Sequence, residues 1–180
     1  TVRGSGTQLN ITANPGSVDL GRVILGSTSP ARSTSVTNGT DFNFTGTAAV
    51  DNGAFSVTPA TFSLGGRRSQ DFSLTFRPAA AGPASGVLTL TLTSTAPPFS
   101  TTVTVTLTGE GLNPAAITIS PPTVDFGDVS VGSSALRSVT VTNTGDVSSA
   151  VSTSSSNAAF AVAPSSFTLA GGASQAVNIS

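Results

Sequence analysis

Asp125 and Asp128 stand three residues apart in the stretch VDFGDVSVG (124–132). Two carboxylates this close are the chain's first candidates for acid–base work or for holding a calcium ion. The rest of the inventory narrows that chemistry. The sequence contains no His, Cys, Lys, Met, Trp or Tyr. Without His or Lys no serine has its customary base, so Ser-His-Asp and Ser-Lys arrangements are closed. Without Cys or His there is no zinc site of the usual kind, no disulfide and no thiol nucleophile. Without Lys there is no Lys-Asn isopeptide cross-link. No EF-hand spacing occurs, and the one Glu, Glu110, sits in the presumed linker. The stretch also occurs earlier, as VDLGRVILG (18–26), where Asp19 keeps its place but Arg22 stands in that of Asp128. A pair that becomes Asp and Arg in its second copy reads better as a turn, in which Asp beside Gly serves the backbone. Asp19, Gly21, Gly26, Asp125, Gly127 and Gly132 are therefore assigned to the fold. No catalytic, metal or cofactor-binding residue is expected, no cofactor is implied, and the chain is expected not to be an enzyme.

Binding chemistry is left with few side chains. Net charge is −1, and the seven basic residues are all Arg, scattered except for Arg67-Arg68. A protein that tracks phosphates needs a basic field, so nucleic acid is not an expected partner. Arg67 and Arg68 read as a hairpin tip able to meet a partner's carboxylate. Carbohydrate platforms favour Trp and Tyr, which are missing, and most of the ten Phe alternate with polar neighbours as core residues do. Phe99, beside Pro97 and Pro98 at a second tip, is the aromatic best placed for a contact between domains or subunits. Asn10, Asn38, Asn43 and Asn178 head Asn-x-Ser/Thr sequons. No apolar run approaches the roughly 20 residues that cross a bilayer, so direct membrane insertion is not expected. The chain lacks an initiating Met and a signal-like start, so it is expected to be processed or cut from something longer.

The elements that must position these residues come twice. AFSVTPATFSLGGRRSQ (54–70) lies over AFAVAPSSFTLAGGASQ (159–175) without a gap, 105 positions apart, and Asn38 and Asn143 hold the same offset. Val18 and Val124 differ by 106. TVRGSG (1–6) lies over TLTGEG (106–111), and Ser180 over Thr75. The expected organisation is a tail strand of a preceding repeat (1–7), repeat 1 (8–112) and repeat 2 (113–180), the last lacking its final hairpin. GLNPAA (111–116) is the linker, stiffened by Pro114.

Period-2 patterning identifies the strands. Leu88, Leu90 and Leu92 alternate with Thr, as do Val103, Val105 and Leu107, which predicts a long hairpin whose strands Pro97 and Pro98 interrupt. Phe72, Leu74 and Phe76 form a strand after the LGGRRS turn, and Val139 and Val141 form one that ends at NTG. In the repeated motif Val124 and Phe126 share one parity, Val129 and Val131 the other. A bulge is therefore needed at Gly127-Asp128, and the motif is expected to be the first strand of a sandwich, crossing from one sheet toward the other.

At VDFG-x-V-x-VG, VTVTNTG (139–145), FAVAP (160–164), FRPAAAGPASGVLTLTL (76–92) and the closing TGEG (108–111), the sequence resembles the ASH (abnormal spindle and hydin) and major-sperm-protein-like superfamily. Within it the likeness is to bacterial repeats of the choice-of-anchor D type. The resemblance covers nearly the whole chain, with a departure at SVTNGTD (35–41), where Gly39 precedes Thr40. It implies tandem immunoglobulin-like β-sandwiches of seven to nine antiparallel strands each, in large bacterial surface or secreted proteins.

Magnitudes bear on the second repeat. The counterparts of Phe76, Leu88, Leu90, Leu92, Val103, Val105 and Leu107 would contribute roughly 10–20 kcal/mol gross at about 1.5–3 kcal/mol each. A whole domain keeps only about 5–15 kcal/mol net. Residues 113–180 are therefore expected not to close as a sandwich but to expose edges open to strand addition. Either the residues belong to a longer tandem protein, or another chain completes the repeat, with TVRGSG as one donor strand. The expected function is that of an extracellular or cell-surface structural repeat in a stalk, fibre or filament. Its expected partners are neighbouring repeats or subunits, with homopolymer formation as one form. The alternative is an adhesin or ligand-binding accessory module on a secreted protein or virion.

Overall fold

The computed structural model describes residues 10–95 and 98–180. The expected tail strand at 1–7 and the interface candidate Pro97 lie outside the described residues. The chain divides into two compact units, Thr1–Gly111 and Leu112–Ser180. Both are all-β.

The first unit is built from β1 (Ile11–Asn14), β2 (Ser17–Ile24), β3 (Arg32–Asn38), β4 (Phe44–Val50), β5 (Phe55–Thr58), β6 (Thr61–Leu64), β7 (Ser69–Phe76), β8 (Gly82–Thr95) and β9 (Pro98–Leu112). They form a four-stranded sheet, β1-β3-β7-β5, and a five-stranded sheet, β2-β9-β8-β4-β6. The alternation read in the sequence is what the sheets use. Leu88, Leu90 and Leu92 on β8 and Val105 and Leu107 on β9 are fully buried, while the threonines between them face outward. Opposite them lie Val36, Phe72, Leu74 and Phe76, also fully buried. Phe76 stacks on Phe55 with ring centroids 4.8 Å apart, and Phe62 meets Phe72 edge-on at 5.0 Å.

Two expectations are corrected here. The repeated motif is not the first strand and does not cross between sheets. β1 precedes it in the four-stranded sheet, and the chain changes sheet between Asn14 and Ser17, through the cis peptide Asn14-Pro15, so that β2 lies wholly in the five-stranded sheet. The parity change is real: Val18 and Leu20 are buried, and then Val23, with Gly21 at φ 77° between them. The bulge thus realigns β2 within one sheet, keeping Val18, Leu20 and Val23 inward. The expected long hairpin is present. β8 runs to Thr95 and β9 starts at Pro98, the two residues being paired. Pro is tolerated as the first residue of a strand, where its missing N–H breaks no ladder.

The second unit repeats part of this plan with β10 (Ile117–Ser120), β11 (Arg137–Asn143), β12 (Ser149–Ser152), β13 (Val162–Ala163), β14 (Ser166–Leu169) and β15 (Ser174–Ile179). The sheet β10-β11-β15-β13 mirrors β1-β3-β7-β5, and the pair β12-β14 mirrors β4-β6. Registers repeat as well: Ser149 opposes Leu169 as Phe44 opposes Leu64. The buried core shrinks to Val139, Val141, Leu169 and Val177.

Candidate interaction surface

Both copies of the motif use their acidic residue in the same way. The Gly21 N–H donates to Asp19 Oδ1 at 2.9 Å, and the Gly127 N–H to Asp125 Oδ1 at 2.8 Å. Each Asp serves the backbone two residues on, where Gly takes a positive φ of 77° or 62° that a side chain would strain. Gly26 and Gly132, at φ 82° and 84°, end the motif in matching turns, with Ser27 N–H donating to Ile24 O and Ser133 N–H to Ser130 O, each at 3.0 Å. Among the described residues no cluster of three or more acidic side chains is placed to hold a metal.

The tips of the first unit converge. Phe99 is half-buried, its ring edge-on to Phe44 at 5.3 Å and to Phe42 at 6.0 Å. Next to Phe42, Asp41 takes a forked ion pair from Arg67, Nε to Oδ1 at 2.8 Å and Nη2 to Oδ2 at 3.3 Å. That hydrogen bonding, with the guanidinium charge behind it, holds the Asp41 carboxyl below its ordinary value and raises Arg67. Arg67 adopts φ 57°, and its counterpart is Gly172 at φ 72°, so the turn prefers Gly and the arginine is held there by Asp41. Arg68 and Pro98 are exposed at this end.

Sequence reasoning missed the role of Asn38 and Asn143, although their shared offset was the available signal. Asn38 is fully buried. Its amide donates to Phe42 O at 2.7 Å and Gly65 O at 2.9 Å, and its carbonyl accepts from the Thr40 N–H and hydroxyl at 3.0 and 2.7 Å. The sequon at Asn38 is therefore closed to a glycan. Asn143, equally buried, donates to Val147 O and accepts from the N–H groups of Ala116 and Gly145. Thr40 and Gly145 take equivalent places in the two turns, which accounts for the departure at SVTNGTD.

The largest apolar exposure lies on one flank of the second unit. Residues 123–136 form no strand there, whereas their counterparts include β2. Val129 is 42% exposed and Phe160 40%, against 7% for Val23 and 2% for Phe55 at the equivalent positions. Phe160 lies 5.4 Å from Phe126, on which Arg137 rests its guanidinium at 5.9 Å. A cavity of about 370 Å³ opens between Phe126, Val129 and Phe160. In the first unit β8 and β9 occupy this side of the sandwich.

Residues 115–180 match the family model described as ASH, "Abnormal spindle-like microcephaly-assoc'd, ASPM-SPD-2-Hydin". The chain is similar to the ASH / PapD-like domain 7 of human CEP192, at 15% identity and a TM-score of 0.55, over 63% of this chain and 94% of that one. It is also similar to a protein of unknown function from Porphyromonas gingivalis W83, at 14% identity and a TM-score of 0.52, over 94% of this chain and 81% of that one. These likenesses concern the fold. No match is found among curated proteins.

Proposed function

Because residues 115–180 match the ASH family model, we propose that the chain is a non-enzymatic structural repeat. It works by assembling with neighbouring β-sandwich units in a stalk, fibre or filament of a cell-surface or secreted protein, of the bacterial choice-of-anchor D type. The observation that carries this reading is the repetition of strand plan and register in the two units, since units that share one plan add without redesign. The inventory supports the absence of catalysis: no His, Cys or Lys, and acidic residues engaged by backbone N–H groups in the motif. An adhesin role centred on the Phe99 tip is less well supported, because that ring is half-buried in edge-to-face contact with Phe42 and Phe44.

The test is the state of the purified 180-residue chain. Sedimentation and electron microscopy are expected to show end-to-end oligomers whose length grows with concentration. A monomer at every concentration, together with saturable binding of a glycan or peptide that Phe99→Ala abolishes, would sink the array in favour of the accessory module.

A further inference from the structure

Where the chain of the first unit leaves one sheet for the other, it vacates a place in the first. β1 pairs with β3 from Ile11 opposite Asn38 to Asn14 opposite Ser35, and the chain then departs to β2. Among the described residues, 32–34 of β3 consequently pair with β7 alone, and their other side borders an unfilled lane. A cavity of about 560 Å³ lies there, with Pro15, Ser17 and Asp19 on one wall and Arg32, Ser33 and Ser73 on the other. Beneath it the hydroxyl of the buried Thr34 donates to the Pro15 carbonyl at 2.8 Å and ties the walls together. The polar lining residues are exposed. Ion pairs among the described residues join Arg22 to Glu110 and Arg67 to Asp41, so Asp19 and Arg32 are paired there neither with each other nor with another charge.

The second unit has the same arrangement. β10 pairs with β11 only from Thr140 to Asn143, so Arg137, Ser138 and Val139 pair with β15 alone among the described residues. Asp125 and Arg137 hold the places of Asp19 and Arg32. Arg22, Arg67 and Arg68 are replaced in the second repeat by Asp128, Gly172 and Ala173, whereas Arg32 is matched by Arg. Both arginines are exposed, so packing alone does not account for the repetition. In the second unit the side chain spans the gap itself, Arg137 Nε donating to the Asp125 carbonyl at 3.3 Å.

We propose that the lane beside residues 32–34 binds an extended segment of a different protein that carries an acidic and a basic side chain at alternate positions. Its backbone extends the four-stranded sheet along β3, in the line that β1 leaves. Its carboxylate meets Arg32, its cation meets Asp19, and Ser33 and Ser73 offer hydroxyls to the polar groups between. The unpaired backbone edge favours a strand over a compact solute, because only a chain fills both the ladder and the charged walls. The two signs disfavour a uniformly acidic or uniformly basic partner, which one wall would repel. Alternate positions place both charges on one face of a strand. No acidic residue of this chain stands two positions from an Arg, so a second copy does not supply the segment. The site does not depend on the assembly reading above.

The experiment titrates the 180-residue chain with an acetylated, amidated heptapeptide of sequence Thr-Glu-Thr-Lys-Thr-Val-Thr, followed by NMR and amide exchange. Saturable binding is expected, with new protection within residues 32–34 and a decline as salt is raised. Arg32→Gln is expected to weaken binding roughly fivefold, and Arg68→Gln, exposed in another turn, to leave it unchanged. A peptide with Pro at alternate positions cannot donate to the ladder and is expected not to bind. Absence of binding, protection elsewhere, equal binding by Arg32→Gln or by the Pro peptide, or equal competition by free glutamate and lysine overturns the proposal. If oligomers form while the peptide fails to bind, the lane alone is wrong. If the peptide binds and the chain stays monomeric, the assembly reading alone is wrong.

Discussion

At the scale of single residues, the chain spends its polar side chains on its own backbone. Asp19 and Asp125 each hold the N–H of a glycine two positions on, and Asn38 and Asn143 each gather several backbone groups of a turn. Removing Asn38 strands the carbonyls of Phe42 and Gly65 and frees Thr40, so Asn38→Ala is expected to cost about 2–4 kcal/mol of first-unit stability, read by denaturant unfolding. Asp41 gives a pH-dependent signature. Its folded value is depressed, first by the Arg67 hydrogen bond and then by its charge. Its stabilisation is therefore present above the ordinary carboxylate range near about 4 and is lost as pH falls through the folded value. Carbon-detected NMR titration is expected to show Asp41 titrating below the ordinary aspartate value, and Arg67→Ala to bring it back to that value. Since both partners are exposed, the effect on overall stability is small.

At the scale of elements, the two repeats share local instructions and differ in closure. β8 is paired on both sides, to β4 and β9, and carries three fully buried leucines. β12, the counterpart of β4, is paired on one side only. Amides of Leu88, Leu90 and Leu92 are expected to exchange only on unfolding of the whole unit, and those of Ala150 and Val151 at least about a hundredfold faster, by local opening. Exchange followed by mass spectrometry on the 180-residue chain measures this, and equal protection would mean that the flank is covered. The motif shows the same dependence: VDLGRVILG is a bulged strand beside β9, and VDFGDVSVG keeps its turn hydrogen bonds but not its strand. A turn is local and survives alone, whereas a strand needs a neighbour to take its backbone groups.

At the scale of the whole molecule, the first unit has an extensive closed core and the second a small one whose apolar flank meets solvent. The strand content, the long hairpin, the inward leucines and the repeat offset could all be read from residue order, because a period of two assigns faces and an offset of 105 assigns equivalence. Those signals are local. Which sheet each strand joins was not legible: the motif is displaced from first strand to second because β1 pairs with β3, a contact between residues far apart in sequence. Nor was the burial of Asn38, whose sequon suggests a surface residue until residues 40–42 and Gly65 close around it. Sequence alone decided the class of fold, the repetition and the poverty of catalytic groups, since those depend on composition and near neighbours. Only the tertiary structure decided where the chain changes sheet and which asparagines are interior, because each depends on what distant segments bring within contact range.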